Sequence, residues 1–331
     1  MRIFFPFDPC PCGSRKKALT CCLGDRAYHR RPARLTRPQF FTNFAHDRCF
    51  LSFWNECSST ISREHYFSEG VIRATKPRAL VRESTVNINY PKLFPETKKV
   101  GIGSLAAKIL CDGHNHMFSP LDARAEELWS AMRDLIFNPT SCPWFRLFNG
   151  HDVERWMLKT LLSTFFAVYE TQSTGKKLRL PAPVKELSEK TLDILKWTSN
   201  SGLYFDSIPI EGTQRPLAFG TGTHDNMIIT AEFHMFGVRA ILLPCPIDDP
   251  AVVVPPSARH RPDGIVFRVE GQRKFIAFSW NHHRRPSGPE DWIQLTLDPQ
   301  QHADETRAQT QSATNSHPRV RNHASLYRCI F

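Results

Sequence analysis

The sequence predicts an α+β protein, and two features of its pattern carry that prediction. Helical periodicity of apolar residues occupies the middle of the chain. Short strand patterns separated by turn residues follow it, up to about residue 280. A third feature, four cysteines within the first 25 residues, predicts a small metal-binding segment ahead of that body.

The cysteine cluster has the spacing Cys-x-Cys, eight residues, then Cys-Cys. Two thiolate pairs on either side of a short Gly/Ser turn can converge on one tetrahedral ion, and Zn²⁺ prefers soft ligands of this kind. A segment this short has no apolar core, so the metal would supply its folding free energy. The alternative is a set of reduced, buried thiols. The candidate ligands are Cys10, Cys12, Cys21 and Cys22.

The residues around these cysteines resemble the SEC-C motif. The stretch from Pro9 to Lys17, followed by Cys21-Cys22, matches the motif's spelling, with Arg15 in a place that is usually Gly. The resemblance implies that the four cysteines bind zinc and that the knuckle serves docking rather than chemistry. It therefore implies a protein or ribosomal partner.

The positive charge of the chain is concentrated behind this knuckle. The formal net charge is +11, and residues 1–48 hold ten Lys/Arg against three Asp/Glu. We predict a basic linker over 26–46 that contacts the phosphates of DNA or RNA. A solvated linker without a ligand is the alternative. The predicted phosphate-binding residues are Arg26, Arg30, Arg31, Arg34 and Arg37.

A second group of residues with metal-binding and catalytic chemistry lies between residues 47 and 135. Cys49 and Cys57 precede Glu64-His65, and Cys111-x-x-His114-Asn115-His116 opens a helix about 45 residues later. This order resembles the HNH, or ββα-metal, endonucleases over roughly residues 47–130.

The resemblance implies a role for each of these residues. His65 would be the general base that activates water, while Glu64 and Asn115 would hold Mg²⁺, Mn²⁺ or Zn²⁺; His116 is an alternative to Asn115. A structural zinc would bind Cys49, Cys57, Cys111 and His114. Two departures from the family pattern are the loose Cys49-x7-Cys57 pair and Ala106, where the family has an Asn that orients the histidine.

Elements are predicted along the rest of the chain in order. Helices are predicted over Leu121–Arg133, capped by Ser119-Pro120, over Asp152–Tyr169, which is apolar around much of its circumference and hence buried, and over Lys185–Thr198. The predicted strands are Leu203–Ile208, Leu217–Phe219, Asn226–Phe236, Arg239–Leu243, Gly264–Val269 and Lys274–Ser279, the last two joined by a turn at Glu270-Gly271.

These elements predict five segments. The expected fold is a zinc knuckle (1–25), a basic linker (26–46), an HNH-like domain (47–135), a domain of helices and antiparallel sheet (136–290) and a largely disordered tail (291–331). The chain has no secretory signal and no long apolar run, which favours reduced cysteines, a cytoplasmic location and no membrane span.

Two functions are compatible with the sequence. The first is a zinc-binding, HNH-like nuclease that cleaves phosphodiester bonds of DNA or RNA. The second is a non-enzymatic adaptor that docks a protein or ribosomal partner through the knuckle, with the second zinc site purely structural. The geometry of Glu64 and His65 relative to Asn115 distinguishes the two, because base and metal must reach one phosphate.

Overall fold

The computed structural model describes residues 7–23, 28–38, 43–74, 76, 85–88, 98–138, 143–170, 177–208, 218–269, 271–280 and 291–297. The protein is a mixed α+β fold. Its helices are α1 (Glu69–Ala74), α2 (Asp112–Phe137), α3 (Gly150–Thr164), which continues as a π-helical turn over Phe165–Tyr169, and α4 (Val184–Leu192). Its strands are β1 (Ile61–His65), β2 (Thr85–Ile88), β3 (Lys98–Gly101), β4 (Ala106–Cys111), β5 (Phe145–Asn149), β6 (Gly202–Ser207), β7 (Ala218–His224), β8 (Met227–Met235), β9 (Val238–Leu243), β10 (Arg259–His260), β11 (Gly264–Val269), β12 (Gln272–Ser279) and β13 (Trp292–Leu297).

Two larger sheets form the C-terminal half. One is antiparallel, with the order β10-β6-β9-β8-β7. The other has the order β13-β11-β12-β5 and is mixed, because β13 pairs parallel with β11 and β5 pairs parallel with β12. The predicted antiparallel sheet is therefore joined by two parallel edge strands. One of these, β13, lies in the segment predicted to be a disordered tail; the rest of that tail is outside the described residues.

The N-terminal part of the body is a ββα unit. Strand β1 pairs antiparallel with β4, with Ile61 opposite Cys111 and His65 opposite Ala106, and α2 begins directly after β4. The HNH resemblance implies a short hairpin that ends in Glu64-His65, but the two paired strands are not consecutive in the chain. The partner of β1 is not the next strand, since α1, β2 and β3 lie between the two paired strands.

Helix α2 is longer than its sequence signals indicate. It begins at Asp112, so that Ser119-Pro120 lies inside the helix rather than capping it. Pro120 removes one backbone hydrogen bond, but the turn before it is held by burial. Met117 and Phe118 are in the core, and His114 lies in a metal-binding cluster. Tertiary contacts therefore override the local helix-start signal.

Helix α3 lies in the centre of the molecule, and every one of its residues is buried. Trp156 packs against Trp129 of α2 and Phe233 of β8, which joins the helices to the antiparallel sheet. Gly150, the first residue of the helix, permits close packing on Trp280, because a Cβ there would lie 2.3 Å from the indole. The predicted burial of this helix is confirmed.

One hydrophobic cluster contains residues from both sides of the domain boundary predicted at 135/136, from Leu51 of the ββα region to Leu295 of β13. The boundary itself stays a prediction. None of the described helices has the length and apolar character needed to cross a bilayer.

Candidate metal centres

The first cluster is built by a tight loop at the N-terminus. The amide of Cys10 donates to the carbonyl of Lys16, and the amides of Cys21 and Cys22 both donate to the carbonyl of Ala18. These bonds fold residues 9–17 back on themselves and turn the second cysteine pair toward the first. The ligand atoms of Cys10, Cys12, Cys21 and Cys22 all lie within 4.8 Å of one another.

This knuckle is attached to the body rather than suspended from it. The amide of Leu147 in β5 donates to the carbonyl of Pro11 over 3.0 Å, and the buried cysteines pack on Leu147 and Ala277 of the mixed sheet. Gly13 has a φ of +80°, and a Cβ there would lie 3.0 Å from the guanidinium of Arg146. Glycine at this position therefore allows both the turn and the close approach to β5.

The second cluster lies in the main core. Its ligand atoms come from the segment before β1 (Cys49 and Cys57), the last residue of β4 (Cys111) and the first turn of α2 (His114). All four residues are buried. The hydroxyl of Ser58 accepts from the amide of Gly113, which fixes the start of α2 beside Cys57.

The distances within both clusters fit tetrahedral zinc. Zn–S and Zn–N bonds of about 2.3 and 2.0 Å place neighbouring ligand atoms roughly 3.5–3.8 Å apart. His114 Nδ1 lies 3.4, 3.8 and 3.2 Å from the sulfurs of Cys49, Cys57 and Cys111. Cys21 Sγ lies 3.5 Å from Cys12 Sγ and 3.7 Å from Cys22 Sγ. The donor sets Cys₄ and Cys₃His are those of structural zinc sites.

The thiols of each cluster differ in pKa. Burial acts against ionisation of Cys12, but hydrogen bonds from Ser14 and from neighbouring thiols lower its pKa to about 7, whereas burial raises the pKa of Cys10 to about 11. In the second cluster, hydrogen bonds from Cys49 and then His114 hold the pKa of Cys111 well below its usual value. The remaining buried thiols need a bound cation to ionise. Zinc would supply that charge at both sites.

The predicted catalytic residues lie beside a buried ion cluster. Glu64 is 5 % exposed, and burial raises the pKa of its carboxylate against the opposing effects of Lys159 and Asn115. The closest partner of Glu64 is the ammonium group of Lys159 in α3. Lys159 also donates to Asp122 of α2 over 3.1 Å. The Glu64 carboxylate is thus neutralised by a side chain of the protein.

The electrostatics of this cluster favour a charged lysine. Burial alone would lower the pKa of Lys159, but the carboxylates of Asp122 and Glu64 outweigh it and raise that pKa. Two carboxylates share one ammonium, and burial raises the pKa of Glu64. The roles of Lys159 and Asp122 were not predicted from the sequence. The available signal was a lysine within the apolar run Trp156–Leu162 of a helix predicted to be buried, since a buried lysine needs a counter-charge.

His65 is the last residue of β1, opposite Ala106, and is half-buried. Its Nε2 atom is buried without a hydrogen-bond partner among the described residues. Burial lowers its pKa, which favours the neutral imidazole. His116, the alternative to Asn115, is exposed and donates from Nδ1 to the carbonyl of Asp112.

The predicted phosphate-binding arginines have different environments. Residues 28–38 form an irregular strap that runs over the body. Arg30 is 4 % exposed, its guanidinium bonds to Glu127 and to the Leu147 carbonyl, and it therefore serves packing. Arg31 and Arg34 are exposed, and Arg37 pairs with Glu56 at 3.1 Å and stacks on Trp54. Arg26 lies outside the described residues.

A groove of about 500 Å³ opens between the knuckle, the strap and α2. Its polar lining includes Lys16, Arg31, Arg124 and Glu127. Glu127 is contacted by three guanidinium groups, those of Arg30, Arg124 and Arg146. No residue of α2 was predicted to contribute to a ligand site here, because the sequence pattern around Arg124 and Glu127 indicates only the polar face of a helix.

No protein-family model, curated protein or solved structure gave a significant match to this chain. The structure therefore supports two possible zinc sites in a mixed α+β fold, and the resemblances to the SEC-C motif and to HNH endonucleases rest on the motif residues alone.

Proposed function

We propose that this protein binds nucleic acid along its strap without cleaving it, and that the two zinc centres hold the knuckle and the ββα unit in shape. The observation that supports this proposal is the row formed by Arg31, Arg34 and Arg37. These arginines recur every third residue and are exposed, while Arg30 and Ala33 beside them are buried.

The strap is fixed in place, so the row keeps its spacing without a ligand. The amide of Ala33 donates to Asp152 over 2.8 Å, its carbonyl accepts from Arg155 over 2.7 Å, and Asn149 donates to the carbonyl of Arg30. A preorganised site loses less conformational entropy on binding than a flexible arm does. The row is therefore better suited to binding than the loose linker expected from the sequence.

Exposed guanidinium groups at every third residue of the strap suit a linear polyanion. Arginine presents several donors in a planar fork that fits phosphate oxygens, and phosphates recur at regular intervals along a nucleic-acid strand. Arg31 and Arg34 have no acidic partner among the described residues. A folded acidic protein would need carboxylates with the same linear spacing.

The ammonium group of Lys159 beside Glu64 supports nucleic-acid binding without hydrolysis. Metal-assisted cleavage needs a carboxylate that is free to hold a divalent ion. Here Lys159, which is fully buried, occupies that position between Glu64 and Asp122. A divalent ion would have to displace a charged side chain that is fully buried between two carboxylates.

The proposal is tested by fluorescence anisotropy with labelled single-stranded and duplex oligonucleotides at several salt concentrations. We expect binding that weakens with salt, and a smaller salt slope in Arg31→Gln/Arg34→Gln, by roughly 0.7–0.9 for each phosphate that the variant no longer neutralises. Arg259→Gln, an exposed arginine on β10 of the other sheet, is the matched control. Absence of binding at low salt, or equal binding by both variants, contradicts the proposal and favours a protein partner for the knuckle.

A second candidate function is metal-dependent cleavage, and one observation favours it. Asn115 is a neighbour of Glu64, while burial lowers the pKa of His65 and its Nε2 has no hydrogen-bond partner among the described residues, as a general base requires. In this case Mg²⁺ or Mn²⁺ would have to supply the charge that activates the phosphate. Plasmid cleavage that requires an added divalent ion and is abolished in His65→Ala would support this function. No cleavage in the wild type, or equal cleavage by both proteins, counts against it.

A further inference from the structure

The groove between the knuckle, the strap and α2 lies at one end of the arginine row. Arg31 belongs to both, because it lines the groove and is the first residue of the row. The row then leads away through Arg34 and Arg37. A strand that follows the row therefore ends, or turns, where the knuckle and α2 form the walls of the groove.

The groove carries more positive than negative charge. Its cations are Lys16, Arg30, Arg31, Arg124 and the adjacent Arg146, and its only carboxylate among the lining residues is Glu127. A zinc ion with four thiolates carries two net negative charges. Against the four cations of the lining, these three negative charges leave an excess of one positive charge, or of two with the adjacent Arg146, so the groove attracts an anion such as a phosphate monoester, whose charge near neutral pH is about −1.5 to −2.

The cationic side chains of the groove differ in whether they can reach a ligand. Arg30 is buried and held by Glu127 over 2.5 Å, so it positions the groove without reaching a ligand. Lys16 is exposed, and its ammonium has no partner among the described residues. Arg124 is partly exposed and makes only longer contacts, 3.3 Å to Glu127 and 3.7 Å to Asp152. Lys16, Arg31 and Arg124 are thus the groups able to turn toward a ligand from three walls.

We propose that this groove binds the terminal phosphate of a nucleic-acid strand, and that the zinc of the knuckle is required for it. This inference rests on the proposed nucleic-acid binding and specifies its ligand. An internal phosphodiester carries one charge, whereas a terminal phosphate carries nearly two and presents three oxygens. Cys12, Cys21 and Cys22 also line the groove, so a metal-free knuckle would lose the wall that carries Lys16.

The test compares one oligonucleotide sequence with a 5′-phosphate, with a 3′-phosphate and with hydroxyl groups at both ends. We expect the wild-type protein to bind one of the phosphorylated strands about tenfold more tightly than the unphosphorylated strand, as for one added charge-assisted contact. Lys16→Gln and Arg124→Gln should remove this preference while retaining binding to the unphosphorylated strand. Arg259→Gln should keep the preference.

The contrary outcomes distinguish a failure of the groove proposal from a failure of strand binding along the arginine row. Equal affinity of the wild type for all three ends, or a preference that survives both Lys16→Gln and Arg124→Gln, overturns the groove proposal but leaves strand binding intact. No binding of any strand overturns both. Inorganic phosphate is the competitor in a further arm. If it displaces the phosphorylated strand at concentrations near those of the strand, the groove binds free phosphate and the end-recognition proposal is overturned.

Lys16→Gln is the decisive variant, because an exposed side chain without a partner among the described residues can be changed without altering the fold. The role of zinc is tested with Cys21→Ser, because Cys21 is the most exposed of the four cysteines in the knuckle. We expect this variant to lose the end preference and to retain salt-dependent binding along the strap. An unchanged end preference after loss of the knuckle zinc overturns the zinc requirement.

Discussion

The two clusters that could bind zinc use similar donor atoms in opposite surroundings. The knuckle at Cys10–Cys22 packs on one face of the mixed sheet with few apolar residues of its own, and Cys21 remains partly exposed. The second cluster, from Cys49 to His114, is part of the main hydrophobic core and has no exposed ligand. A metal in the knuckle would therefore take the place of a local hydrophobic core. A metal in the second cluster would add to the main core, which contains residues from most of the chain.

The same ligand chemistry can therefore stabilise either a short loop or the main core of the protein. Loss of a metal at the knuckle exposes a short loop anchored by its backbone contact to β5. Loss at the second cluster leaves three buried thiols and an imidazole without a cation, at the junction of β1, β4 and α2. Unsatisfied buried polar groups are among the largest sources of destabilisation.

The largest effect is expected from breaking the second cluster. Cys111→Ser should lower the free energy of unfolding by about 4 kcal/mol or more, or prevent folding, because it removes a ligand from the centre of the core. Chemical denaturation and zinc analysis measure both consequences. Cys245→Ser is the matched control, a partly buried thiol in neither cluster, and should cost less than about 1 kcal/mol. Similar losses in the two variants would contradict a metal at this site.

The next effect concerns the ion cluster beside the second site. Lys159→Met keeps the length of the side chain but leaves Glu64 and Asp122 without their cation, which should cost roughly 3–5 kcal/mol. Adding Glu64→Gln should restore part of the loss, because it removes one of the stranded charges. Lys196→Met, which breaks an exposed pair with Glu189, is the control and should change stability little. No difference between the two lysine variants would mean that Lys159 is not charged in the folded protein.

A smaller effect is expected at the knuckle. A chelator should remove one zinc rapidly and the other only on global unfolding, since the knuckle is at the surface and the second cluster is enclosed. Hydrogen exchange after the first release should increase in residues 7–23 and change little in α3. Release of both metal ions in one phase would show that the two clusters are not independent.

The smallest effect concerns pH. Burial lowers the pKa of His65 in the folded state, so the unfolded chain binds its proton more readily. The contribution of this residue to stability should be complete above its unfolded pKa of about 6.5 and decline as the pH falls through the folded pKa. Denaturation midpoints of the wild type and of His65→Asn, measured across that range, should converge at acidic pH. A parallel course of the two curves would count against a buried neutral imidazole.

Much of the local structure could be predicted because it follows from short-range patterns. The thirteen residues of the knuckle contain all four of their ligands, and the apolar circumference of α3 predicts its burial. The Cys49, Cys57, Cys111 and His114 set could be assembled only through a family resemblance. Nothing local to Cys57 indicates that β4 will pair with β1 across about forty intervening residues.

The parts that sequence reasoning missed depend on long-range pairing. Pro120 is a strong local signal for a helix start, yet burial of Met117 and Phe118 extends α2 through it. Arg30 could not be separated from Arg31 by composition, although one is buried against Glu127 and the other is exposed. The strand β13 has an apolar pattern too short to recognise without its partner β11.

The sequence separation between ligands also sets an order of assembly. Cys12 and Cys21 are nine residues apart, whereas Cys49 and His114 are 65 residues apart. The entropic cost of closing a loop grows with the logarithm of its length. Closing the longer loop therefore costs about 2 kcal/mol more in free energy before any contact offsets it. During refolding with zinc present, the knuckle should therefore acquire its metal first, and the second cluster only after β1, β4 and α2 have come together.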